Sequence, residues 1–135
     1  MPVTIEKMDG MPVIVATFKG HVDVSMVKYV FNRTAELCEG IEGPIFRISD
    51  VSEATSSFVE MLGVIREAGQ GGPGSTTDPR IRAVFVGSNQ WTRLMRDALQ
   101  QPQFGGVNMP AFTSMEDAMT YIRHQLGLDN DVASG

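Results

Sequence analysis

The chain carries little of what redox, metal or covalent chemistry needs. Its one cysteine, Cys38, rules out an intramolecular disulfide and suits a reducing compartment. His21 and His124, its only histidines, lie far apart in sequence and with that thiol give no metal-ligand spacing. The glycine-rich stretch 69–74 lacks the Gly-Lys-Ser/Thr ending of a phosphate loop and precedes a strand pattern where a helix is required. No apolar run approaches the ~20 residues of a membrane helix, and Met-Pro-Val-Thr-Ile-Glu-Lys lacks the basic-then-apolar build of a signal peptide. Basic residues are also scarce, with 11 Lys and Arg against 16 Asp and Glu and a net charge of −5. Such a chain is repelled by phosphate backbones and anionic lipid heads. The expectation is a cytoplasmic protein with no nucleic-acid partner, no membrane insertion and no cofactor.

What is present is an alternation of short apolar strands and amphipathic helices. At 135 residues the chain can bury one core, and residues 1–128 are expected to form a single domain, with 129–135 a frayed tail. Residues 3–5 read as a short strand, and Asp9-Gly10 as the turn into a β-branched strand over 13–18. Lys19-Gly20-His21 then leaves the sheet. Asp23 or Ser25 caps a helix over 24–39, because a short side-chain oxygen satisfies an N–H of the first turn. Val27, Val30, Phe31, Thr34, Leu37 and Cys38 recur on one face of it. Residues 45–48 are the next strand and 49–56 a polar loop. Ser57 and Glu60 have capping-box spacing, and the helix they open sets Phe58, Met61, Leu62 and Ile65 on one side. Residues 69–79 read as a flexible loop, 81–86 as a strong strand. Trp91, Leu94, Met95, Ala98 and Leu99 form a helical stripe, residues 107–112 hold a strand weakened by Pro110, and Thr113 to Glu116 has capping-box spacing before a last helix. After an opening strand pair, strands and helices alternate, which predicts an α/β fold with a mostly parallel sheet of four to five strands and about four helices.

The order of elements resembles the STAS domain, the anti-anti-sigma-factor and sulfate-transporter family with the SpoIIAA-like fold, over residues 13–126. That family runs a strand into Leu-Ser-Gly-Val and then Asp-Ser-Ser-Gly at a helix start. Here Ile48-Ser49-Asp50-Val51 and, without a gap, Thr55-Ser56-Ser57-Phe58 occupy those places. Thr55 stands where the family has Asp, and Phe58 where it has Gly. The resemblance implies a non-enzymatic regulatory module that docks on a protein partner, such as a kinase or an anti-sigma-like antagonist. It makes Ser56 the candidate phosphorylation site, and Ser49, Asp50, Thr55, Ser56, Ser57 and Phe58 the candidate partner-binding surface.

Each of these residues also has a plainer explanation. Ser57 caps a helix, and capping alone contributes about 1 kcal/mol. Cys38 on an apolar stripe reads as a buried, inert thiol. Of the 9 methionines, Met61, Met95, Met115 and Met119 fall on core stripes, whereas Met8, Met11, Met26 and Met109 are less easily placed. The latter four suit a soft apolar pocket, which supports an alternative reading as a small-molecule or lipid-binding domain of the STAS/Sec14-like kind. An enzyme ranks last, since no nucleophile–base pair stands out. A homodimer formed through a sheet edge is compatible with every reading.

Overall fold

The computed structural model describes residues 3–127; the tail expected over 129–135 lies outside them. Five strands form one sheet in the order β1-β2-β3-β4-β5. β1 (Val3–Lys7) pairs antiparallel with β2 (Val13–His21). β3 (Ile45–Thr55), β4 (Ile81–Val86) and the two-residue β5 (Ala111–Phe112) continue in parallel. The helices are α1 (Val24–Leu37), α2 (Phe58–Gly69), α3 (Gln90–Leu99) and α4 (Met115–Gln125), with a 3-10 turn at Pro102–Phe104.

The strand order decides where the helices go. Each parallel step from β2 to β5 moves the same way across the sheet, and right-handed crossovers then place α1, α2 and α3 on one face. Only α4, which follows the last strand, covers the other. Packing agrees. Val27, Val30, Val64, Met95 and Leu99 share one cluster with Ala16, Val51 and Phe85. Ala118, Met119 and Ile122 share another with Phe46, Ile48 and Val84. The alternation along β3 follows, with Phe46 and Ile48 turned to α4 and Arg47, Ser49 and Val51 turned to the three-helix side.

Two segments differ from expectation. The polar stretch 49–56 is mostly strand. β3 runs to Thr55, and Glu53, Ala54 and Thr55 pair with Lys19, Gly20 and His21, which therefore stay in the sheet. Between Asp50 and Glu53, β3 holds one residue more than β2. This bulge shifts the alternation and lets Val51 and Ala54 both reach the core. Asp50 locks it, accepting from the backbone N–H and the hydroxyl of Ser52 at 3.1 and 2.7 Å.

The glycine-rich stretch 69–79 is packed rather than free. Ser75, Thr76 and Asp78 are buried. Asp78 accepts from the N–H groups of Gly74 and Arg80 at 2.8 and 2.9 Å. Burial pushes its carboxyl up, but those two N–H groups and the Arg80 guanidinium outweigh it and hold the group below the usual carboxylate range. Gly74 has φ +75°, and a Cβ there would meet the Phe31 carbonyl oxygen of α1 at 2.2 Å. Glycine is needed on both counts, so glycines that read as flexibility serve close approach.

Candidate functional site

Beyond the end of β4, the arm of β2 and β3 projects toward the N-termini of α2 and α3. Ser57 caps α2, its side chain accepting from the N–H of Glu60 at 3.3 Å. Glu60 reaches back to the Ser57 backbone N–H, the smallest of the effects that lower its carboxyl. Its carboxylate accepts from the Ser57 hydroxyl at 2.8 Å and from the exposed His21 ring. The His21 bond first, then the Ser57 bond, hold its carboxyl below the ordinary range. Asn89 caps α3 through Thr92, and its amide donates to the carbonyls of Val51 and Ser52 at 3.0 and 3.2 Å. The helix start is thus fastened to the bulge.

Ser56 sits between these parts. Its hydroxyl donates to the Val22 carbonyl at 2.9 Å and accepts from the Trp91 indole N–H at 3.0 Å. One side chain therefore joins the start of α1, the turn into α2 and the first turn of α3. Sequence comparison singles out Ser56 but gives no sign of these partners, which lie 34 and 35 positions away.

The first turn of α2 faces outward. Phe58 and Val59 are 75% and 77% exposed, with Leu62 and, on α3, Leu94 also exposed. This corrects two expected stripes. Val64, Ile65 and Ala68 are the buried face of α2, and Leu94 leaves the stripe completed by Trp91, Met95 and Leu99. The cap explains the error. Phe58 is the first helical residue, above the sheet's rim, and a position there need not follow the face below it. α4 offers a control: it too starts at a serine cap, yet its first turn carries Glu116 and Asp117. A helix start here does not need exposed apolar groups to fold.

Ser52, Glu53, Thr55, Ser56, Phe58, Met61, Trp91 and Leu94 border an open groove of about 520 Å³. Of the expected partner-binding residues, Thr55, Ser56 and Phe58 border it, and Ser57 caps the helix beside it. Asp50 is spent on the bulge. Ser49 points away from the groove, into the interior of the three-helix side.

The other singled-out residues take plainer places. Cys38 is buried with Ile14, Ile45 and Ile81, and burial pushes its thiol up. Met26 and Met109 are core residues, and Met8 and Met11 pack partly buried against the α4 cluster. Among the described residues no group of three or more His, Cys, Asp and Glu is placed to hold a metal, and no helix is long and apolar enough to cross a membrane.

Arg47 is the residue sequence reading missed. It is 2% exposed, near the start of β3. One terminal nitrogen donates to the Gly74 carbonyl and, at 3.3 Å, to the Thr34 hydroxyl; the other donates to Thr76 at 3.1 Å. The Phe31 ring lies 5.0 Å from the guanidinium carbon, within cation–π range. Burial pulls the guanidinium down to about 10. The only available signal was a charge inside a four-residue apolar strand pattern.

No family model matches the chain, and no curated protein does. Solved structures do. A DUF3478-family protein with a SpoIIAA-like fold from Shewanella loihica is 14% identical over 88% of this chain and 90% of its own, with a TM-score of 0.57. An anti-sigma factor antagonist from Mycobacterium paratuberculosis is 16% identical over 90% and 92%, TM-score 0.52. The anti-sigma factor antagonist SpoIIAA in its unphosphorylated form is 17% identical over 90% and 97%, TM-score 0.52. The five-stranded, mostly parallel sheet, with three helices on one face and one on the other, is a SpoIIAA-like fold.

Proposed function

We propose that the chain is a non-enzymatic, cytoplasmic regulatory module that docks on a protein partner through the start of α2 and the adjoining groove. The exposure of Phe58 and Val59 carries this reading. Two large apolar side chains held in water by a well-capped helix contribute nothing to the fold, and contiguous apolar surface of this kind marks an interaction site. The likeness to anti-sigma factor antagonists supports a protein as the partner, and a kinase or an anti-sigma-like antagonist is the class proposed. The net charge of −5 disfavours nucleic acid.

Ser56 is the proposed switch. A phosphate on its oxygen removes the hydrogen donated to the Val22 carbonyl and sets roughly two negative charges against that carbonyl, while the Trp91 N–H remains able to donate to the phosphate. The tie between the start of α1 and the turn into α2 then opens, and the groove changes shape with it. This differs from a switch that acts by surface charge alone, because Ser56 is already engaged on both sides.

The test is purification of the tagged protein from its own cells, with phosphopeptide mapping, beside Phe58→Asp and Ser56→Asp. A defined partner kept by the wild type and lost by Phe58→Asp, with both proteins folded, supports docking at α2. Phosphate on Ser56, and loss of the partner in Ser56→Asp, supports the switch. A partner that binds wild type and Phe58→Asp alike removes the proposed surface, and Ser56→Asp binding unchanged removes the switch.

A further inference from the structure

Under α1, α2 and α3 lies a partly enclosed cavity of about 50 Å³. Its wall is apolar, with Val30, Val64, Met95 and Leu99 among the lining, except at one end, where Arg47, Ser49 and Thr76 face it. Arg47 is the chemical anomaly. Among the described residues no carboxylate hydrogen-bonds its guanidinium, and its Nε is buried without a partner. Asp78 acts on it only at longer range, and a buried charge hydrogen-bonded only by neutral oxygens, with one N–H unused, is expensive; a guanidinium is shaped to hold a carboxylate with two parallel N–H groups.

We infer that this cavity binds a short-chain monocarboxylate, its head on Arg47 and Ser49 and its alkyl tail among Val30, Val64 and Met95. The size sets the class. A buried water needs about 10–15 Å³ on this measure, so the cavity accepts roughly three to five non-hydrogen atoms, the size of propionate and, with slight expansion, butyrate. Sulfate fills it without using the apolar wall, and a long fatty acid does not fit. Trp91 lines both this cavity and the docking groove, so its fluorescence senses either site, and substitutions at Arg47 and Ala83, which line the cavity and not the groove, tell the two apart.

The chain has one tryptophan, and its fluorescence is the readout, with thermal shift beside it. The full chain is titrated with propionate, butyrate, hexanoate, decanoate, sulfate and the matched alcohols. Propionate and butyrate are expected to give a saturable change at concentrations at least about tenfold below those of the alcohols, since a hydrogen-bonded charge is worth about that much. Hexanoate is expected to be weaker and decanoate absent. Arg47→Met is expected to abolish the preference for acid over alcohol. Ala83→Val, which narrows the cavity and leaves Arg47 in place, is expected to lose butyrate before propionate, and it carries the test if Arg47→Met fails to fold. No saturable response to any acid means that water alone occupies the site, and the inference falls. Equal response to acids and alcohols, affinity rising with chain length to decanoate, or unchanged acid binding in Arg47→Met overturns it as well.

Discussion

The two faces of the sheet solve the same packing problem differently. On the α4 face one helix lies over Phe46, Ile48, Val84 and Val86, and among the described residues no buried polar side chain belongs to that helix. On the other, three helices must cover the sheet and meet one another. There the structure buries Arg47, Thr34, Thr76 and Thr92, keeps a cavity under the helices, and joins the helix starts through Ser56, Trp91 and Asn89. A single helix can be sealed with side chains of one kind. Three helix ends converging on one corner leave backbone donors and carbonyls to be satisfied, which requires polar side chains. Those polar side chains are also the ones able to recognise something, so the candidate chemistry gathers on the three-helix side.

Losing the polar anchor of the three-helix face should cost at least as much as losing an apolar one opposite. Arg47→Ala leaves the Gly74 carbonyl and Thr76 without their donor and opens a void, and is expected to destabilise by about 4 kcal/mol. Ile122→Ala, in the fully buried seam of α4, is expected to cost about 3 kcal/mol. Urea unfolding of both variants gives the comparison. If Arg47→Ala costs under 1 kcal/mol, the guanidinium is not the anchor its hydrogen bonds suggest. Ile122→Ala should also leave partner and carboxylate binding at wild-type levels.

The serine caps sharpen the contrast, because here the faces should agree. Ser57→Ala and Ser114→Ala each remove one side-chain acceptor from a helix start and are expected to cost about 1 kcal/mol apiece. A Ser57→Ala cost near zero would show that the α2 start is held by Ser56 and the groove rather than by its own cap.

How much of this was legible follows from which forces are local. Caps such as Asp23 and Ser57 depend on a few neighbouring atoms, and the sequence displays them, whereas the α4 cap falls at Ser114, one residue past the capping-box position Thr113. Strand and helix order depends on apolar periodicity, and the SpoIIAA-like architecture was accessible through it. The bulge in β3 was not. A polar run such as Ser49-Asp50-Val51-Ser52-Glu53 reads as loop unless the partner strand is known to continue beside it. Arg47 and the 69–79 segment were hidden for a related reason: a glycine-rich loop looks mobile until a buried guanidinium, 27 residues upstream of Gly74, is seen to bind its carbonyl. The orientation of Phe58 was hidden because helical spacing says which residues share a face, and only the sheet's rim says where that face ends.

Phe58 gives the smallest expected effect on stability and the most informative one. Its side chain is 75% exposed, so Phe58→Ser should change the unfolding free energy by less than about 0.5 kcal/mol, the range of surface substitutions that touch no buried group. If the residue packed as its helical spacing first suggested, the same change would cost about 3 kcal/mol, so one denaturation curve separates the two placements. Partner affinity should fall by at least about tenfold in the same variant, because apolar anchors at the centre of an interface carry most of its energy. A stability loss near the larger figure would return Phe58 to the core and erase the contrast between the starts of α2 and α4. Unchanged stability with a lost partner would show that the three-helix face uses its first turn for binding where the opposite face uses charge to keep its own turn in water.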